Sequence, residues 1–166
     1  MKNLVFIGMP SAGKSTVGVI IAKKRGMFFV DTDVLLQTGQ GRLLQDIINR
    51  DGIEKFLEIE ESTIVSLECE NTVIATGGSA VYEEQAMEHL KQNAIVVYLH
   101  IDMETVNKRL NNIRTRGVVL SPGQTLEEAY AERKPLYEKY ADICIDCSEY
   151  SIDTTVDVIN QRLDSL

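Results

Sequence analysis

Leu4-Val5-Phe6-Ile7-Gly8-Met9-Pro10-Ser11-Ala12-Gly13-Lys14-Ser15 is the stretch that decides the fold. Four apolar residues end at a glycine, residues 8 to 15 satisfy G-x-x-x-x-G-K-S/T, and an amphipathic pattern then runs through Val17, Ile20, Ile21 and Ala22 to Lys23-Lys24-Arg25-Gly26. Strand, glycine loop and helix in that order are the context that gives the pattern chemical meaning. Glycines let the backbone wrap a phosphate, inward N–H groups bind it, and the helix N-terminus adds positive potential. Lys14 brings an ammonium to the β and γ phosphates, and the Ser15 hydroxyl a hard ligand for Mg²⁺. Gly8, Ser11, Ala12, Gly13, Lys14, Ser15 and Thr16 are therefore expected at a nucleotide. Such a loop specifies a nucleotide and not a reaction, since GTPases, ATPases and small-molecule kinases share it.

Further apolar runs follow the same logic. Met27-Phe28-Phe29-Val30, Thr72-Val73-Ile74-Ala75 and Ala94-Ile95-Val96-Val97-Tyr98-Leu99 are unbroken, as expected for strands covered on both faces of a parallel sheet, and 143–145 is a weaker fifth. Leu43, Leu44, Ile47 and Ile48 mark one face of a helix ending near Asp51-Gly52. Helices are also expected over 54–68, 83–92, 102–111, 125–140 and 152–163, with Thr125 and Glu128 spaced as a capping box. Alternating strands and helices predict an α/β fold with a parallel sheet. The one long loop candidate, 112–124, has the length of a lid.

The chain has 166 residues, 44% of them hydrophobic and 25% charged, which suits one domain with one core. Seventeen basic residues against 25 acidic ones give a net charge of −8, which sets nucleic acid aside as the main partner. The N-terminal apolar run is too short for a signal peptide, and no stretch approaches the ~20 apolar residues of a membrane span, so no membrane partner is expected. Three cysteines, Cys69, Cys144 and Cys147, read as reduced thiols and point to a cytoplasmic protein. Cys144-Ile145-Asp146-Cys147 lacks the second pair a zinc site needs, and His100 reads as a hydrogen-bonded residue at a strand end.

Asp31-Thr32-Asp33 falls at the carboxyl end of the second apolar run, the edge where open parallel sheets bind ligands. On an extended chain both carboxylates share one side, so that Asp31 could hold the metal while Asp33 accepts a proton from an alcohol. A helix cap would use Asp here equally well.

With these motifs in hand, the chain resembles the shikimate kinase family of P-loop small-molecule kinases. The landmarks occur in order as the glycine loop, Asp31-Thr32-Asp33, Gly77-Gly78-Ser79, Arg116, and Arg133-Lys134-Pro135-Leu136-Tyr137, across about residues 4 to 146. The resemblance implies a P-loop kinase fold with five parallel strands in the order 2-3-1-4-5 and a lid over 112–124. It implies Lys14, Asp33 and Arg116 as catalytic residues, with Ser15 and Asp31 at Mg²⁺ and Arg109 near the nucleotide. Gly77, Gly78 and Ser79 would face the acceptor, the two glycines through N–H groups, and Arg133 would grip its carboxylate by a bidentate fork. The implied reaction moves the γ-phosphoryl of ATP to an alcohol of a carboxylated metabolite, shikimate by default. ATP, Mg²⁺ and a small hydroxy acid are then the partners, and a monomer is expected.

Departures cluster on the acceptor side. Where the family reads G-x-x-x-F-R-x-x-E, this chain has Gly52-Ile53-Glu54-Lys55-Phe56-Leu57-Glu58-Ile59-Glu60, so Leu57 takes the place of a second carboxylate clamp. Losing such a guanidinium costs roughly 2–5 kcal/mol. Ser79 replaces a third glycine, the lid reads Arg116-Gly117-Val118, and 146–151 lacks the usual arginine and proline beside adenine. Leu57 would line a smaller pocket, suited to a linear acceptor such as homoserine with Glu54, Glu60 or Ser79 at its ammonium, or else would complete the apolar stripe with Ile53 and Phe56 while shikimate is still accepted. A non-catalytic ATP sensor is a further alternative, and a GTPase a poorer one. Glu58, Glu60 and Glu61 otherwise read as a solvated helix face.

Overall fold

The computed structural model describes residues 2–110 and 118–166. Five strands, β1 (Asn3–Ile7), β2 (Phe28–Asp31), β3 (Thr72–Ala75), β4 (Ala94–His100) and β5 (Ile143–Asp146), form one sheet ordered β2-β3-β1-β4-β5 with every neighbouring pair parallel. The expected order is the observed one. Strands β1 and β3 are buried throughout, which is why their sequences are unbroken apolar runs. Strand β2 differs: it is an edge strand, and Phe28 is 73% exposed.

Eight helices appear among the described residues: α1 (Lys14–Arg25), α2 (Thr32–Gln40), α3 (Leu44–Asp51), α4 (Ile53–Val65), α5 (Glu84–Lys91), α6 (Met103–Leu110), α7 (Leu126–Tyr140) and α8 (Ile152–Asp164), with a short 3₁₀ turn over Ala80–Tyr82. The capping box forms as spaced, with Thr125 and Glu128 each satisfying the other's backbone N–H. Helix α2 is the main departure from the sequence reading. Asp31-Thr32-Asp33 is not an extended tripeptide but a strand-to-helix corner, because Asp31 Oδ1 accepts from the N–H groups of Asp33 (3.0 Å) and Val34 (3.3 Å) and so starts the helix. No helix among the described residues is long and apolar enough to cross a membrane.

The main core joins the sheet to its helices through residues such as Val5, Phe6, Ile21, Val97, Leu99 and Ile159, each fully buried aliphatic contributing roughly 1.5–3 kcal/mol. A smaller cluster of Leu36, Ile47, Phe56 and Val119 ties α2, α3 and α4 to the segment before α7. That second cluster matters for the site, since Phe56 and Val119 from it line a cavity there.

Candidate active site

Strands β1, β2 and β3 end at one level, with Phe6 and Asp31 both in register with Ala75. The glycine loop, the Asp31 corner and the Gly77-Gly78-Ser79 turn therefore emerge side by side. In the loop, Gly8 has φ +146°, and a Cβ there would stand 2.6 Å from the Leu99 carbonyl oxygen, so only glycine lets the loop lie this close to β4. Ser11 holds φ +70° without being glycine, and its Oγ is buried with no hydrogen-bond partner among the described residues. Backbone strain beside an orphaned donor marks a surface shaped for a ligand. Lys14 is 8% exposed, and its Nζ donates to the carbonyls of Gly8 (2.8 Å) and Met9 (2.9 Å), which stations the ammonium at the loop's mouth. Arg109, on the last turn of α6, donates to Ser11 O at 3.0 Å, tying that helix to the same loop.

Ser15 Oγ donates to Asp31 Oδ2 at 2.5 Å. Asp31 thus caps α2 with one oxygen, as the cap reading has it, and meets Ser15 with the other. A hydroxyl and a carboxylate oxygen side by side are hard donors of the kind that would suit Mg²⁺.

The acceptor side is built by α7. Arg133 is 1% exposed; its Nε donates to Tyr82 Oη (3.1 Å), its Nη2 to Val119 O, and its guanidinium lies 5.2 Å from the centroid of the Tyr82 ring. Its Nη1 is buried without a hydrogen-bond partner among the described residues and would be 3.3 Å from a Cβ on Gly78. One turn later, Tyr137 Oη donates to Gly78 O at 2.6 Å while its ring stacks on Tyr98 at 5.1 Å. Arg133 and Tyr137 are four residues apart, hence on one helix face, and together they brace the glycine turn. Gly77 N–H donates to Thr32 Oγ1 (3.3 Å), and the space of its missing side chain is taken by Asp33 Oδ1 and Glu60 Oε1, each 2.7 Å from where a Cβ would stand.

Two cavities meet here. One of about 360 Å³ runs along the loop and is lined by Lys14, Ser15, Asp31, Asp33 and Gly77 among others. A second, of about 20 Å³, is lined by Pro10, Asp33, Phe56, Gly78, Val119 and Arg133. Asp33 lines both, and therefore stands between the phosphate side and the guanidinium side.

Leu57, expected at the acceptor, is half-buried in the smaller apolar cluster with Ile53 and Ile59 and lines neither cavity; its neighbour Phe56 supplies the wall. The alternative reading, completion of the helix stripe, describes its position. Lys55 points to solvent and pairs with Glu58 at 2.8 Å. Arg116, together with 112–117 of the expected lid, lies outside the described residues. Glu60 corrects the solvated-face reading: it is 1% exposed, and its Oε2 accepts from Ser79 Oγ at 2.7 Å. The signal for it was present in the sequence, because Ile53, Phe56, Glu60 and Ile64 recur at helical spacing and Glu60 falls on the apolar stripe. Burial pushes its carboxyl up to about 8, with the Asp33 charge adding to the rise and Ser79 and Arg133 opposing it. Phe56 and Tyr137, quoted within the family motifs but given no role there, and Val119 are further site-forming residues. His100 meets Tyr98 Oη at 3.0 Å, as a strand-end histidine should, and no cluster of metal-ligating side chains occurs among the described residues.

A shikimate kinase family model matches residues 10–164. The shikimate kinase of Thermodesulfovibrio yellowstonii is 36% identical over 88% of this chain and 86% of its own. That of Thiobacillus denitrificans is 34% identical over 99% of this chain and 91% of its own. Among solved structures, shikimate kinase from Acinetobacter baumannii in complex with shikimate superposes with a TM-score of 0.87 at 29% identity, covering 99% of this chain and 94% of that one. Shikimate kinase from Aquifex aeolicus gives 0.82 at 29% identity, over 98% and 96%.

Proposed function

From the premise that this chain belongs to the shikimate kinase family and is a phosphotransferase with an alcohol acceptor, we propose that it transfers the γ-phosphoryl group of ATP to a hydroxyl of shikimate. The observation that carries the reading is the place of Asp33, shared by the cavity along the phosphate loop and the cavity at Arg133. A carboxylate there can orient an acceptor hydroxyl, or take its proton, while a carboxylate at the acceptor's other end meets the unpaired Nη1 of Arg133.

Phosphoryl transfer asks little covalent chemistry of a protein and much positioning. The loop from Gly8 to Thr16 wraps the phosphates, and Lys14 carries its ammonium to the bridging and terminal oxygens. Ser15 and Asp31 would hold a Mg²⁺ ion, which would supply charge neutralisation at the phosphates. Arg109 positions the loop from the nucleotide side, and Arg116 brings a guanidinium to the transferring group. The missing side chains of Gly77 and Gly78 let Asp33, Glu60, Pro10 and Arg133 close in around the glycine turn, and Pro10, Phe56 and Val119 keep water from the hydroxyl.

ADP release with Mg²⁺-ATP is the direct test, run over shikimate, quinate, homoserine, serine and threonine at equal concentration. Saturable turnover that is fastest with shikimate is expected. Inert shikimate alongside rapid turnover of an amino acid would replace the acceptor and keep the mechanism, whereas ATP binding without ADP formation on any alcohol would leave a sensor. Arg133→Lys should raise the acceptor KM about 30-fold or more, because a lysine cannot hold Tyr82, Val119 and a carboxylate at once, and should leave the ATP KM within a few fold. Equal effects on both substrates would place Arg133 elsewhere in the reaction.

A further inference from the structure

We propose that Glu60 is a positioning residue for Asp33, working as a neutral carboxylic acid whose Oε1 hydrogen faces the Asp33 carboxylate across Gly77. The inference rests on the reading of Asp33 as the group that aligns the acceptor hydroxyl. Glu60 comes from the inward face of α4 and is fully enclosed. Its two oxygens are placed differently. Oε2 accepts from the Ser79 hydroxyl at 2.7 Å, whereas Oε1 is buried with no hydrogen-bond partner among the described residues. A Cβ added to Gly77 would stand 2.7 Å from Glu60 Oε1 and 2.7 Å from Asp33 Oδ1, so the two oxygens are at most twice that distance apart. That span is covered by a direct contact or by one bridging water.

The charges around Glu60 explain which form it takes. Asp33 on α2 and Glu83 at the start of α5 both oppose a second negative charge, Arg133 on α7 favours one, and no ion pair to Glu60 forms among the described residues. Two carboxylates this close in a dry site do not both ionise cheaply. Oε2 has the Ser79 hydroxyl at 2.7 Å as a partner that can donate to it, whereas Oε1 has Asp33 as its nearest acceptor across Gly77, so a proton on Oε1 satisfies both oxygens. A proton there holds the Asp33 carboxylate in one orientation. Its loss at alkaline pH sets like charges against each other across Gly77 and turns Asp33 away from the acceptor.

Two measurements decide this. Carbon-13 NMR of the full chain labelled at glutamate Cδ, with Glu60 assigned through Glu60→Gln, should show a midpoint near pH 8 that falls by half a unit or more in Asp33→Asn. Titration in the ordinary glutamate range near pH 4.5, or a midpoint indifferent to Asp33→Asn, overturns the proposal. In ADP-release assays the wild-type kcat/KM for the acceptor should decline above pH 8. Glu60→Gln, which keeps an N–H donor and cannot ionise, should lose that decline while holding kcat within about tenfold at pH 7. Glu60→Ala should cost about 100-fold in kcat with little change in the ATP KM. The same alkaline limb in wild type and Glu60→Gln also overturns it. No turnover of any acceptor at any pH would instead count against the function proposed above, and the NMR titration would still decide the role of Glu60.

Discussion

Lys14→Met should lower kcat about 10³-fold while the protein still folds. The ammonium is already held at the loop's mouth by two backbone carbonyls, at 2.8 and 2.9 Å, so its position is organised before any nucleotide arrives. A preorganised cation at a developing charge gives its largest return in the transition state, and removing one such donor typically costs 10²–10³-fold or more. Methionine matches the length of the stem and leaves the carbonyls without their charged partner. A melting temperature lower by up to about 10–15 °C is therefore expected, since two charge-assisted bonds worth about 1.5–3 kcal/mol each are lost. The close approach of Gly8 to the Leu99 carbonyl and the tie of Ser11 O to Arg109 remain without Lys14, so nucleotide should still dock weakly. Thermal melts with and without ATP, followed by single-turnover ADP formation, separate these effects. Near-normal turnover would remove Lys14 from the catalytic set.

Asp33→Asn should cost 10²–10⁴-fold in kcat, the range for loss of a positioned acid–base group. The substitution is nearly isosteric, which matters because Asp33 Oδ1 fills the space beside Gly77 where a Cβ would stand 2.7 Å away. An amide there keeps the packing and loses the carboxylate that receives the acceptor hydroxyl. The ATP KM should change little, as the loop contacts lie on the far side of the shared cavity. Asparagine keeps a side-chain oxygen that can accept from the neutral Glu60 acid, so stability at neutral pH should change little. Steady-state kinetics on both substrates and a melt at pH 7 check the three statements together. An asparagine variant as fast as wild type would mean that Asp33 neither orients nor deprotonates the hydroxyl.

Much of this site was legible in the sequence because its signals are local. A phosphate loop works through residues that are neighbours in the chain, and a capping box spans three residues, so Gly8 to Ser15 and Thr125 with Glu128 fall where their spacing puts them. Helix α2 was missed for an equally local reason. The same Asp31 serves as a strand end, a cap and a partner of Ser15, and D-x-D does not say which until the chain has turned.

By itself, the sequence determined the nucleotide loop, the alternation that makes the sheet parallel, and the ordered motifs that mark the family. Only the tertiary structure decided how those motifs face one another. Glu60 meets Ser79 across 19 residues, Tyr137 meets Gly78 across 59, and Arg109 meets Ser11 across 98. Leu57 and Glu60 show the difference within a single helix: both interrupt an expectation drawn from type and spacing, and the packing of α4 against the second cluster and the glycine turn assigns one to an apolar wall and the other to a buried carboxyl beside Asp33. Residue type fixes what a side chain can do, whereas desolvation and the charge of its neighbours, both properties of the folded chain, fix which protonation state and which partner it has.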